Sequence, residues 1–411
     1  MKINKLIQTF FFSLFFLLTL PLFAEDMLFF KIDVSEAMLF IDLENQQKLN
    51  WDATNSLKTD IAYKSNFNQD ASLMILYELG YTGPGVKGTS QESFSSRSID
   101  HSGMAKFYYN LLPELQMSVK GDFFYEFYRT GKTEKWSEGL YNFGKTGGGF
   151  NFLFTPFKES KTSLSGELHY YWFPNYNDLI NEAVYLLGSA STQLDEDSLN
   201  QNFLYYTVQL REVFTPVKTF FIDLSYYFGY RDYTKMKTDD EDLDPANNQK
   251  LKDSIHNFQF EAGYFALPEL LIRAAYNLTA FRSNYNYLFV QSFSPLAYSF
   301  HKDFSSFTEH QVSLTLHFFA SQKSTLILSP GYEYKNYLSK SPKNADGSFN
   351  TGSNQYHKAF SIGLGWIYKR YENFTLIPEY VFKTTESNNL DLNSGYNYKV
   401  HYFGVKFIFE Y

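Results

Sequence analysis

Two-residue alternation of apolar and polar side chains, repeated from Ser72 to Tyr411, constrains this chain more than any other feature. Successive side chains of a strand point to opposite faces, so the pattern calls for a sheet with one apolar and one polar surface. Over residues 115–128, Leu115, Met117, Val119, Phe123, Tyr125 and Phe127 share one face. Gln116, Ser118, Lys120, Asp122 and Glu126 share the other. The same pattern sets Leu164, Leu168, Tyr170 and Trp172 against Ser163, Ser165, Glu167 and His169. It also sets Leu314, Leu316 and Phe318 against Ser313, Thr315 and His317. These lengths suit tilted strands crossing a bilayer, which need about 9 to 11 residues in its apolar zone.

The connections alternate as strictly as the side chains. Short ones fall at Leu112, Pro113 and Glu114, at 158–161, at Thr215, Pro216 and Val217, at Leu267, Pro268 and Glu269, at Ser321, Gln322 and Lys323, and at 369–373. Between them run long polar stretches at 175–200, 234–252, 286–304 and 339–354. Tight turns at one end and large loops at the other describe an all-β, transmembrane, antiparallel up-and-down barrel of about 14 to 16 strands. Residues 72–411 supply about 14 of these. Thr54 to Ser65 alternates too, and counting it alone makes the total odd. Two arrangements restore parity: residues 25–71 add two strands, or they form a periplasmic or plugging segment. Alternation shifts phase near Glu36, so the stretch around it also fits a short helix.

Composition agrees with a barrel. One residue in five is aromatic, with 34 Tyr and 44 Phe, and no stretch beyond the N-terminus is apolar enough for a membrane helix. A net charge of -8 gives no support to a nucleic-acid partner. Cysteine is absent, which excludes disulfides and thiolate metal sites. Residues 1–24 read as a cleavable export signal: Lys2 and Lys5, an apolar run from Phe10 to Leu20, then Pro21 and a terminal Ala24.

The last residues place Phe403, Val405, Phe407, Phe409 and Tyr411 on one face. This resembles the C-terminal assembly signal of bacterial outer-membrane β-barrel proteins, with Tyr411 where most have Phe. Tyr63 to Asn68 is similar to a segment near the first strands of several such barrels, with Lys64 in place of Asp. The resemblance is to porin-like proteins as a class and implies a bacterial outer-membrane location. It also implies as partners outer-membrane lipids, lipopolysaccharide and the barrel-assembly machinery.

With apolar residues towards lipid, the candidate lumen-facing charges are Lys120, Asp122, Glu126, Glu167, His169, Arg211, Asp223, Arg231, Arg273, Glu333 and Lys335. Arg or Lys facing hydrocarbon at the midplane costs about 2 to 4 kcal/mol, which places them inside. Acids and bases balance, as in a water-filled channel lined by both signs or in a salt-bridged, closed interior. Asp195, Glu196 and Asp197 and the run 239–244 read as solvated loop carboxylates, without the spacing of a calcium loop. Asp100, His101 and Ser102 have catalytic residue types, but adjacent strand residues face opposite ways and make no dyad. Gly147, Gly148 and Gly149 precede a strand, which marks a bend or a close approach rather than a phosphate loop. The expected function is passage of small hydrophilic solutes, without enzymatic activity, metal or cofactor. A surface adhesin or structural barrel acting through its loops is the alternative, with an outer-membrane lipid hydrolase third. Oligomeric state is left open.

Overall fold

The computed structural model describes residues 27–43, 50–84, 96–130, 134–175, 201–238, 248–293, 296–391 and 396–411. The export signal at 1–24 and the loop carboxylates at 195–197 and 239–244 lie outside the described residues. The strands in chain order are β1 (Met27–Leu43), β2 (Asn50–Asn66), β3 (Ala71–Pro84), β4 (Arg97–Leu112), β5 (Leu115–Arg129) and β6 (Phe143–Phe157). There follow β7 (Ser160–Trp172), β8 (Phe203–Val217), β9 (Phe220–Thr238), β10 (Gln249–Leu267), β11 (Leu270–Ser283) and β12 (Tyr287–Phe293). The last are β13 (Leu296–His301), β14 (Phe307–Ser321), β15 (Ser324–Tyr337), β16 (Tyr356–Tyr371), β17 (Phe374–Ser387) and β18 (Tyr398–Glu410).

All but β12 and β13 form one closed antiparallel barrel of 16 strands, each paired with its neighbours in sequence, and β11 with β14. β12 and β13 make a separate hairpin inside the stretch expected as an open loop. β1 and β2 are wall strands. The phase shift at Glu36 has a simple cause: Ile32, Val34, Met38 and Phe40 share the apolar face, and Glu36 occupies a position among them. Closure runs along β1 and β18, where Ile32 faces Phe409 and Met38 faces Phe403. Phe30 and Tyr411 exchange two backbone hydrogen bonds of 2.8 Å beyond that ladder.

One turn and one loop differ from expectation. The β8–β9 turn is Lys218–Thr219, because β8 continues to Val217. Its register with β9 shifts between Phe214 and Val217, so Pro216 sits in a bulge, where its missing N–H breaks no regular ladder bond. The ends of β9 and β10 extend to Thr238 and from Gln249, further into the loop at 234–252 than the polarity suggests.

The two faces differ sharply in exposure. Val119 is 48% exposed and Leu364 50%, whereas Ser118 is 3% exposed. A folded protein that displays Leu, Val or Phe on most of its barrel strands has turned its apolar surface outwards, the reverse of a soluble sheet and the requirement of a lipid-facing one.

Candidate functional site

A cluster of five ionisable groups lies on the polar face of β5, β6 and β7. Register places Lys120 opposite Gly149, and Gly149 opposite Glu167. It likewise aligns Asp122, Gly147 and His169. With no side chain in the middle strand, groups from the outer two meet over it. Lys120 Nζ lies 2.6 Å from Glu167 Oε1, and His169 Nε2 lies 2.9 Å from Asp122 Oδ1. Lys145 Nζ adds a contact of 3.5 Å to Asp122. His169 is 2% exposed, so its ring is fixed from all sides. The glycine triplet is therefore a site of close approach: a Cβ on Gly147 would run into the carbonyl oxygen of Leu168.

Around the wall most of the remaining candidates pair with the neighbouring strand. The Arg211 guanidinium donates to both oxygens of Asp223, with Nε 2.9 Å from Oδ1. Arg231 reaches Asp253 at 3.7 Å, and the Tyr233 hydroxyl donates to the same carboxylate at 3.1 Å. Arg273 holds Glu261 at 2.6 Å. Lys335 lies 3.7 Å from Glu309 and 3.6 Å from the centre of the Phe307 ring. Glu333 and Lys383 meet at 3.5 Å over β16, where the small Ala359 and Ser361 face them. Glu126 stands apart from the ion pairs and bonds to Ser98.

Beside the Glu333 and Lys383 pair is a cavity of about 360 Å³. Its floor is made of small residues, among them Ala275, Ser313 and Gly331, and its rim carries Gln259, Asn277 and Gln311. The rim amides are chained: Asn257 donates to Asn277 at 2.7 Å, and Asn277 to Gln311 at 3.3 Å. Amides supply donors and acceptors together, so the cavity offers hydrogen bonds of both kinds beside one balanced charge pair.

Lys145, Asp253 and Tyr233 belong to these contacts but were absent from the sequence candidates. Lys145 shares the face of Gly147 and Gly149, which have no side chains to mark that face, and Asp253 needed the register of β9 and β10. Asp100 and Ser102 face away from His101, whose ring meets the Tyr77 hydroxyl on the apolar face at 2.7 Å. The terminal aromatics stay in phase: Phe403 is 48% exposed and Phe407 37%, and Phe409 packs on Phe374 with ring centres 5.0 Å apart.

No family model and no curated protein matches the chain in sequence. Among solved structures it is similar to the outer-membrane-expressed OmpT of Vibrio cholerae, at TM-score 0.45 and 10% identity over 95% of this chain and 99% of that one. It is similar to CdiB from Acinetobacter baumannii, at TM-score 0.49 and 11% identity over 93% and 60% of the two chains. For OccAB4 of the same organism the TM-score is 0.47 at 9% identity, over 93% and 98%.

Proposed function

We propose that this chain is a bacterial outer-membrane channel passing small hydrophilic solutes, with its charged face as the lining of a water-filled lumen. One observation carries the reading: ion pairs that skip a strand. Lys120 with Glu167, His169 with Asp122, and Lys383 with Glu333 each span two inter-strand spacings, roughly 9 to 10 Å in a flat sheet. Side chains from strands two apart converge only on the concave side of a curved wall. The charged face is then the inside, and 16 strands enclose more space than side chains of this length fill. Acids and bases alternate around it, so a solute meets a polar wall with little net field. Such a lining favours uncharged hydrophilic molecules and discriminates weakly between small ions. Lipopolysaccharide, other outer-membrane lipids and the barrel-assembly machinery are the partners this reading requires.

Single-channel recording of the refolded protein in a planar bilayer tests it. Stable ohmic conductance is expected, and Lys120→Glu is expected to shift reversal potentials towards cation selectivity. Folded, heat-modifiable protein without conductance would overturn the channel while retaining the barrel, and would favour a barrel that acts through its outer loops.

A further inference from the structure

The apolar face carries four copies of one side-chain pair. The hydroxyls of Tyr77, Tyr226, Tyr276 and Tyr380 lie 2.7, 2.9, 2.8 and 2.9 Å from Nδ1 of His101, His256, His310 and His401. Each Tyr stands six residues beyond the first residue of its strand, in β3, β9, β11 and β17. Each His is on the next barrel strand, displaced two positions towards the loops from the residue opposite the Tyr. The pairs thus recur at one level of the wall. Below them the face is continuously apolar towards the turns: His310 is followed by Val312, Leu314, Leu316 and Phe318, and His401 by Phe403, Val405, Phe407 and Phe409. That run matches the roughly 9 to 11 residues of a strand within hydrocarbon, so the histidines sit where the apolar zone ends on the loop side.

Above that level the same face becomes charged with cations in excess: Arg97, Arg129, Lys252, Arg282, Lys358 and Lys399 lie on the strands' loop-side ends, with Asp232, Glu386 and Asp42 opposite Lys252, Lys358 and Lys399. In one sector these cations border a depression. A pocket of about 290 Å³, bordered by Tyr230, Lys252, Ser254 and Arg282, lies directly above His256. Arg282 donates through Nη1 to the carbonyls of Phe281 and Phe307 at 2.9 and 2.8 Å, contacts that orient the guanidinium without neutralising it. Two carboxylates also border the pocket. Asp253 is already held by Arg231 and Tyr233, and Asp303 lies in the connection after β13.

We propose that this belt, centred on Tyr226, Lys252, His256 and Arg282, binds the phosphate groups of the glycolipid in the outer leaflet, a lipopolysaccharide-type headgroup. The inference rests on the membrane-spanning part of the preceding reading and is independent of whether the lumen conducts. Where the phenol donates to Nδ1 the ring proton sits on Nε2, and the pair then presents an oriented N–H donor at the edge of the hydrocarbon. Lys252 and Arg282 supply the charge, and Arg can engage phosphate through two parallel bonds. A site with both features selects a phosphorylated headgroup attached to acyl chains.

The test uses full-length protein refolded into phosphatidylcholine vesicles containing either bisphosphorylated lipid A or the same lipid with both phosphates removed. Native mass spectrometry of the released barrel counts retained glycolipid. Retention of the phosphorylated form is expected to exceed that of the other by about tenfold, the effect of about one charge-assisted contact. The double variant K252Q/R282Q should abolish the preference, and H256F should weaken it, with folding checked by heat-modifiable migration on gels. Equal retention of the two lipids, or a preference that survives K252Q/R282Q, would overturn the proposal. Displacement by millimolar inorganic phosphate would also overturn it, because the site would then hold a free anion rather than a lipid.

Discussion

The wall around β5, β6 and β7 and the wall around β14 to β17 use the same device and end in opposite states. In both, a side chain reaches over an intervening strand to an opposite charge. In the first sector the intervening residues are glycines, and five ionisable groups close over them around a His169 that is 2% exposed. In the second the intervening residues are Ala359 and Ser361, the charges meet at a longer 3.5 Å, and a cavity of about 360 Å³ remains beside them. Glycine lets the outer strands' side chains descend to the backbone and fill the space. A methyl or hydroxymethyl group keeps them apart and leaves room for a solute.

The largest effect should come from a substitution that tests the facing shared by both sectors. Val119→Arg, on the exposed apolar face of β5, is expected to destabilise the barrel by about 2 to 4 kcal/mol in reversible urea unfolding from lipid vesicles. The adjacent Lys120→Gln, which gives up the Glu167 pair but keeps a polar group on the inner face, should cost about 1 kcal/mol or less, and equal losses at the two positions would break the assignment of faces to both sectors.

Next comes the difference in packing. His169→Ala leaves the Asp122 carboxylate without its closest partner, and a loss of about 1 to 3 kcal/mol is expected in the same assay. Lys383→Ala removes half of a more exposed pair and should cost under about 1 kcal/mol. Gly147→Val should resemble the histidine variant, because its side chain meets the Leu168 carbonyl, with a loss of about 1 to 3 kcal/mol. If His169→Ala and Lys383→Ala proved equally mild, the contrast between a filled and an open sector would disappear.

The smallest effect on stability and the most informative one on passage is expected from Ser361→Tyr. The added ring enters existing space, so unfolding should change by less than about 1 kcal/mol. Single-channel conductance should fall, while the same recording on His169→Ala stays closer to the parent. A conductance untouched by Ser361→Tyr would remove the cavity from the solute's path.

Much of the architecture was legible because a barrel writes its geometry into the period of the chain. Strand β5 and the terminal strand β18 alternate without interruption, and their facing follows directly from Val119, Lys120, Phe403 and Phe407. Elsewhere single residues obscure the pattern. Glu36 interrupts an apolar run and lets the stretch around it fit a short helix as well as a strand. Gly147, Gly148 and Gly149 carry no side chain and so no phase, which hid Lys145. Pro216 imitates a turn because the same missing N–H that suits a turn also suits a bulge. The candidate charges were visible one strand at a time, but their pairing was not. The ties of Lys120 to Glu167 and of Tyr226 to His256 depend on register, and register joins residues whose separation in sequence says nothing about it.

The seam between β1 and β18 sets the order in which this wall can be made. Phe30 and Tyr411 are partners, yet nearly the whole described chain lies between them, so their contact has the largest loop-closure cost in the molecule. Every other barrel strand has a partner next to it in the order of synthesis, with only the β12–β13 hairpin intervening between β11 and β14. The sheet therefore grows as a ribbon with two raw margins, one of them β1, and it remains open until the final strand arrives. During that interval the ribbon offers unpaired backbone along both margins and an unshielded apolar surface, the conditions under which sheets stick to one another. Completion is then concentrated at a single joint, and a chain lacking β18 would bring β17 to β1 in parallel orientation, without the antiparallel partner that closes this wall.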